Sequence, residues 1–438
     1  MPLLSILIAP GCTHSSGGDG VAAENRDAGA SSATNSPSRE DWPAWRGPNG
    51  DDISTETDWT NDWPAVGPKQ LWTASVGVGF SAVSVAAGRA YTMGHDATEP
   101  EKEKEKLGDD TVWCFDAATG SVIWKHSYPC KQVANLHEGG PASTPAIDGN
   151  RVYTLSKEGH LFCFDAANGD VIWTVELQKL LDVEMPPWGF SGSPRVFDDK
   201  VILDAGPTVA FDKNNGKVAW KSKDHVAGYG SPTLFNVDGE ALVAVLNNQF
   251  LMVLRAKDGT LVDQAPWTSS FATSATTPVV EPADHGATIF ISTGYDTGCA
   301  LYDLTDGKLT QRYKNKHMRN HMATCVAWND VLFGFDGNAD SPPAPHVWLV
   351  ALNRDTGEVL WKERGLGAGT LMRSGHRLIL LSDDGRLVIA EASEKEYKPL
   401  ATADVLKGKC WTMPVLADGR IYCRDAAGDV VCIDVKKQ

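Results

Sequence analysis

Among its nine cysteines the chain has no Cys-x-x-Cys, no Cys-x-x-Cys-His and no adjacent pair. That removes a thioredoxin-like dithiol and a covalently attached haem. Neither Gly-x-Ser-x-Gly nor Gly-x4-Gly-Lys-Ser/Thr occurs. The stretch GFSGS at 189–193 has the letters of a nucleophile elbow without its spacing. Basic residues are outnumbered, 40 against 56 acidic, for a formal charge of −16, and they form no run or stripe. Such a field repels phosphate backbones, so nucleic acid is excluded as an expected partner. The apolar run Leu3 to Ala9, interrupted by Ser5, is far too short to span a bilayer.

That run ends at Ala9-Pro10-Gly11-Cys12, which resembles a bacterial lipoprotein cleavage box with Pro10 as a departure. Residues 1–12 therefore read as an export signal with Cys12 as the lipidated residue. Residues 13–41 are small and polar without apolar periodicity, a composition that reads as a disordered tether. An anchor followed by a tether predicts an exported protein, periplasmic or held at the cell envelope. Its only attachment to the membrane would be the lipid.

What the chain has in abundance is repetition. FDAATGSVIW at 115–124 is written again as FDAANGDVIW at 164–173. The frame Asp116, Gly120, Trp124 recurs as Asp165, Gly169, Trp173, then Asp212, Gly216, Trp220, and again as Asn353, Gly357, Trp361. The turn glycines 120, 169 and 216 step by 49 and 47 residues, and 259, 307 and 357 by 48 and 50. Asp or Asn folds back onto nearby amides, Gly supplies positive φ, and the following strand delivers a Trp at a fixed distance from the turn. Four short strands in about 45 residues is the propeller period. The last unit stops at VVCIDVKKQ without its fourth strand, and KQLWTASVG at 69–77 matches that strand, with Trp72 in the role of Trp124. The expected fold is all-β: an eight-bladed β-propeller of four-stranded antiparallel blades over 69–438. Pairing an N-terminal strand with the last blade closes it and removes its exposed edges. Cys114, Cys163 and Cys432 fall at equivalent strand positions, too far apart to bridge, and are expected to be buried small hydrophobes.

The FDAxTG turn with its docking Trp resembles the PQQ-type β-propeller repeat, known from quinoprotein dehydrogenases and from BamB-like envelope lipoproteins. The preamble DWPAWRGPNGDDISTETDW (41–59) and the segments MRNHM and GKCWTM are similar to the BamB-like group. The resemblance implies the fold strongly and the function weakly. Quinoprotein dehydrogenases typically carry an adjacent cysteine pair, carboxylate and amide ligands for calcium, and an aspartate base. The pair is absent here and the calcium ligands do not match.

Positions shared by all blades build the scaffold; positions where one blade departs are where a job is expected. The segments just before the innermost strands converge at one mouth of the channel. They carry Phe80, His137, Glu138, Trp188, Tyr229, Arg319, Asn320, His321 and Trp411. These residues are expected either to line an aromatic-walled ligand site or to plug the channel with Arg319 and Glu138 paired. His317 and His321, four apart, have the helical spacing of zinc ligands, but a loop is expected there and no metal site is assigned. EKEKEK at 101–106 reads as a solvated hairpin tip. Trp42, Trp45, Trp59 and Trp63 are expected to strap residues 42–68 to the propeller's side. The expected function is non-catalytic: an envelope binding or scaffold protein, expected as a monomer, engaging an envelope protein or peptide, or a small ligand, through the channel mouth. No catalytic residue, metal or cofactor is assigned. The alternative is a quinone-dependent alcohol or polyol dehydrogenase, for which PQQ and calcium would be required.

Overall fold

The computed structural model describes residues 41–64, 66–97, 107–339 and 344–437. The signal-like segment with Cys12, the tether up to residue 40 and the EKEKEK run lie outside the described residues. Eight four-stranded antiparallel sheets follow one another along the chain. Blade 1 consists of Ser84–Ala86, Arg89–Ala97, Leu107–Asp116 and Val122–Lys131. Blades 2 to 7 span residues 146–176, 195–221, 233–266, 279–315, 326–363 and 370–404. Blade 8 is built from Val415–Ala417, Arg420–Arg424 and Asp429–Asp434, and its outer strand is the N-terminal Lys69–Ser75, antiparallel to Asp429–Asp434 with Trp72 opposite Cys432. The ring is closed as the truncated last repeat requires.

The repeated Trp and Gly act across blades. Trp124 Nε1 donates to the carbonyl of Ala166 at 2.9 Å in the next blade, and Trp72, Trp173, Trp220 and Trp361 do the same to Ala117, Lys213, Ala256 and Ser393. The turn glycine thus has two reasons to be glycine. At Gly169 φ is +78°, and a Cβ there would sit 2.6 Å from the Trp124 ring. Blade 5 keeps the device with Tyr313, whose hydroxyl donates to the Arg354 carbonyl at 2.7 Å over Gly357.

A second inter-blade device explains the Ser and Thr that precede the innermost strands. The backbone N–H of Ala82 donates to Thr144 Oγ1, Thr144 to Ser193 Oγ, Ser193 to Ser231 Oγ, Ser231 to Thr277 Oγ1 and Thr277 to Thr324 Oγ1, all between 2.8 and 3.2 Å. This hydroxyl belt satisfies amides buried around the channel from blade 1 to blade 6, where no sheet partner exists for them. Among the described residues all eight cysteines are unpaired and buried, and Cys114, Cys163 and Cys432 are fully enclosed.

The preamble does not strap the propeller's side. It lies across one end of the channel, against the ends of the innermost strands. Trp42 bridges Val85 of blade 1, and Pro43 O accepts from Ile147 of blade 2. Arg195 of blade 3 donates to the carbonyls of Gly47 and Pro48. Arg46 reaches the carbonyls of Pro278 and Cys325 in blades 5 and 6. Ile53–Ser54 adds a parallel strand inside Arg373–Ser374 of blade 7, and Glu56 accepts from the amides of Asp418 and Gly419 in blade 8. The physical reason is that the inner strands leave free edges and carbonyls around the axis, which the flank of a closed blade does not. Trp42 and Trp59 are fully buried there, and Arg46 pairs with Asp52 at 2.5 Å in the interior.

Candidate functional site

The opposite mouth of the channel is a cavity of about 180 Å³, an order of magnitude more than the roughly 15 Å³ a single water requires. Its lining includes six of the expected residues: Phe80, His137, Trp188, Tyr229, His321 and Trp411. Trp45 of the preamble also lines it, with Nε1 3.3 Å from Thr277 Oγ1 of the hydroxyl belt. The cavity is therefore a cup stopped at one end by the preamble.

The walls are aromatic pairs. Phe80 stacks on Trp411 at 5.7 Å and meets the His137 ring edge-on at 5.2 Å. Trp188 and Tyr229 are T-shaped at 5.8 Å, and so are Tyr295 and His321 at 4.6 Å. These offset and edge geometries are the favourable ones for rings carrying a quadrupole. Trp188 is held by its Nε1 on the Asn135 carbonyl at 3.0 Å, whereas Trp411 Nε1 is buried without a hydrogen-bond partner.

Ionisable groups here are tuned by burial. His137 accepts from the Gly139 amide at Nδ1, 3.0 Å, and burial, with Lys157, Lys409 and His321 nearby, pushes its pKa down to about 3, so it is neutral. Lys157 is buried with Nζ on the Trp188 carbonyl at 2.8 Å, and burial lowers it to about 8. Burial also raises the Tyr229 phenol to about 12.

Three expected residues are elsewhere. Glu138 pairs with Lys409, at 2.8 and 2.9 Å, and Lys409 Nζ also sits 4.5 Å from the Trp411 ring centre. Arg319 does not pair with Glu138: it grips Asp336 through Nε and Nη2 at 2.7 and 3.1 Å and reaches Asp296 at 3.2 Å. The buried Asp336 carboxylate is the nearer counter-charge, and it lies within Arg319's own blade. Asn320 is buried, donating to the Phe335 carbonyl at 2.9 Å, and is a structural residue. His317 and His321 diverge as expected of a loop, with His317 Nδ1 on the Gly357 carbonyl at 2.7 Å and His321 Nδ1 accepting from Ala339 at 2.8 Å.

Lys157 and Tyr295 also line the cup, and neither lies in the segments before the innermost strands. They sit on the turns between the second and third strands of blades 2 and 5, which face the same mouth. Lys-Glu-Gly-His in blade 2 and Gly-Tyr-Asp-Thr in blade 5 break the repeat, and that was the available signal. At the rim, Leu136, Phe271 and Tyr295 hold φ of 63°, 66° and 49°. For bulky side chains this left-handed backbone costs about 1–3 kcal/mol each.

The quinone-dependent chemistry of related folds needs calcium held by anionic oxygens. Among the described residues the cup is lined by no Asp or Glu, so a hard divalent cation finds no carboxylate ligand in it. The residues present do not fit that group.

No curated protein matches the chain by sequence. Among solved structures it is similar to BamB from Moraxella catarrhalis, at 17% identity and TM-score 0.57 over 84% of this chain and 98% of that one. It is similar also to the quinohemoprotein alcohol dehydrogenases of Comamonas testosteroni, at 14% and 0.65, and Pseudomonas putida HK5, at 13% and 0.67, each over 91% of this chain and 81% of the other. At such identities these likenesses carry the fold alone. The family model described as "Outer membrane protein assembly factor BamB" matches residues 108–339 and 346–437. The chain therefore belongs to the BamB-like family of PQQ-type β-propellers.

Proposed function

We propose that this chain is a non-catalytic binding protein of the cell envelope that takes an aromatic or apolar side chain of a partner envelope protein or peptide into the cup at its channel mouth. The observation that carries the reading is the cup itself: closed at one end, walled by paired aromatic rings and, among the described residues, lined by no carboxylate. Such a lining supplies contact area and ring stacking. Its two ionisable groups most affected by burial are each bonded to backbone, Lys157 Nζ to the Trp188 carbonyl and His137 Nδ1 to the Gly139 amide, and are not paired with each other as nucleophile and base. The strained rim loops support the same reading, because backbone held in left-handed φ by bulky residues is characteristic of ligand clamps. The protein acts as a monomer attached to the membrane by a lipid on Cys12.

The test places a photo-crosslinking amino acid at Leu136, which lines the cup and is 89% exposed, in the full-length protein in its native host. Crosslinks to one envelope protein, lost with Trp411→Ala, are expected. Dye-coupled alcohol oxidation by the purified protein given PQQ and calcium would overturn the reading in favour of the dehydrogenase. Labelled palmitate incorporated by wild type and absent from Cys12→Ser is expected for the anchor, and incorporation that survives the substitution would sink it.

A further inference from the structure

The strands of blade 1 and the turn of blade 2 bring together a donor set that neither the repeat nor the cup uses. Cys130, near the end of the outer strand of blade 1, and Glu158 and His160, on the turn entering the third strand of blade 2, each place one ligand atom within 4.8 Å of the other two. Cys130 is not one of the cysteines written into the repeat, and its side chain is buried. The neighbouring groups are arranged as a second layer. Ser156 Oγ lies 3.1 Å from His160 Nδ1 and accepts the His160 amide at 2.9 Å, which fixes that ring. Glu158 Oε2 accepts the Lys131 amide at 2.7 Å, which orients its carboxylate toward the blade seam.

The other turns of this kind give an internal control. In blade 7 the same turn is Ser382-Asp383-Asp384-Gly385-Arg386, and Ser382 Oγ accepts the Arg386 amide at 2.8 Å as Ser156 does for His160. Serine and glycine are therefore the framework of the turn. Position 158 is acidic in both turns, Glu158 standing where blade 7 has Asp384, and His160 is the addition made in blade 2, opposite the blade that supplies Cys130. A second observation points the same way. Asp110, beside the Cys130 thiol, holds His95 Nδ1 at 2.9 Å through Oδ1 while its Oδ2 is buried with no hydrogen-bond partner. A buried carboxylate oxygen without a partner is costly unless something fills its place.

We propose that Cys130, Glu158 and His160 bind one zinc ion across the seam between blades 1 and 2, with the buried Asp110 carboxylate beside the Cys130 ligand as its outer support. One sulfur, one nitrogen and carboxylate oxygens suit a borderline divalent cation such as zinc, whereas calcium and magnesium take oxygen alone. On binding, the Cys130 thiol gives up its proton to solvent and the thiolate becomes the ligand. The ion ties the outer strand of blade 1 to the turn of blade 2, so its role is structural.

The experiment titrates zinc into the purified protein, freed of any affinity tag and stripped with a chelator. The expected result is one zinc per chain by calorimetry and elemental analysis. With cobalt in its place, a thiolate-to-metal charge-transfer band is expected. Cys130→Ser abolishes the band, and His160→Gln, at a half-exposed position that leaves the fold intact by circular dichroism, abolishes stoichiometric binding. Ser156→Ala, which removes only the orienting contact, lowers affinity about 10-fold. Wild-type protein that takes up no zinc overturns the proposal, and so does zinc uptake undiminished in His160→Gln.

Discussion

The two ends of the channel are both dressed with tryptophan, and they treat it differently. At the preamble end Trp59 is wholly buried, its Nε1 donates to Ser374 Oγ at 2.8 Å, and the Arg377 guanidinium stacks 3.6 Å from its ring centre. Trp42 is equally enclosed, with its backbone paired to Val85 in both directions. At the open mouth Trp411 is only half-buried, its Nε1 has no partner, and it stacks on Phe80 over empty volume. One end satisfies every demand of its aromatic side chains and so serves stability. The other leaves the Trp411 Nε1 donor uncommitted, which is the condition for binding something else.

Truncation at the two ends separates these roles most sharply. Trp59→Ala is expected to cost about 3–5 kcal/mol, through the lost burial and the cavity left behind. Trp411→Ala is expected to cost well under half of that and to abolish crosslinking at the cup. Urea unfolding of both variants beside wild type is the measurement, and equal losses of stability would erase the distinction between the two ends.

How far the sequence foretold each end follows from periodicity. The blades, the closure through Trp72 and Cys432 and the burial of the repeat cysteines were legible because each was written several times, and copies correct one another. The preamble occurs once. Nothing periodic in residues 41–60 tells whether a row of tryptophans lies on a blade's flank or across the axis, and only the free inner edges such as Arg373–Ser374, visible once the ring is built, decide it. At the mouth, six of the nine expected residues line the cup because the segments before the innermost strands do converge there. Glu138 and Arg319 were drawn away by Lys409 and Asp336, pairings between segments with no shared period. Lys157 and Tyr295 enter the cup from a second set of turns on that face, between the second and third strands, where each departure from the repeat is written once and no copy marks it.

Acid should weaken the mouth. His137 is held neutral with its pKa near 3, below the value of about 6.5 it has in the unfolded chain. Between those two values the unfolded state binds the extra proton, so the contribution of this group is fully present above pH 6.5 and is lost as the pH falls toward 3. The slope approaches one proton's worth, about 1.4 kcal/mol per pH unit. His137→Phe keeps the ring packing on Phe80 without the proton. Its stability relative to wild type should therefore rise progressively from pH 6.5 to 4.5 in chemical denaturation, and a constant difference across that range would contradict the assignment.

Arg319→Ala probes the mouth's supporting rim. Arg319 is bound to Asp336 and Asp296, and Lys362 Nζ at 3.2 Å remains as a partner for the buried Asp336 carboxylate. The loss should be about 1–2 kcal/mol, the scale of a charged hydrogen bond with partial compensation. Crosslinking at the cup should be unchanged, because Arg319 is not in its lining.

The smallest effect on stability is the most informative about the mouth. Trp411→Phe removes some ring area, which destabilises, and also removes a buried donor that has no acceptor, which relieves a desolvation penalty of about 1–3 kcal/mol. The two contributions oppose each other, so the unfolding free energy should move by less than about 1 kcal/mol. The same substitution at Trp59 deletes a satisfied donor, leaving the Ser374 hydroxyl only its bond to the Glu56 carbonyl, so there the area and a hydrogen bond are lost together. If Nε1 of Trp411 is kept for a ligand acceptor, Trp411→Phe lowers crosslinking yield at Leu136 while the protein stays as stable as wild type. A variant that lost stability and kept its crosslinks would show that this indole, like the one at the other end, serves only the fold.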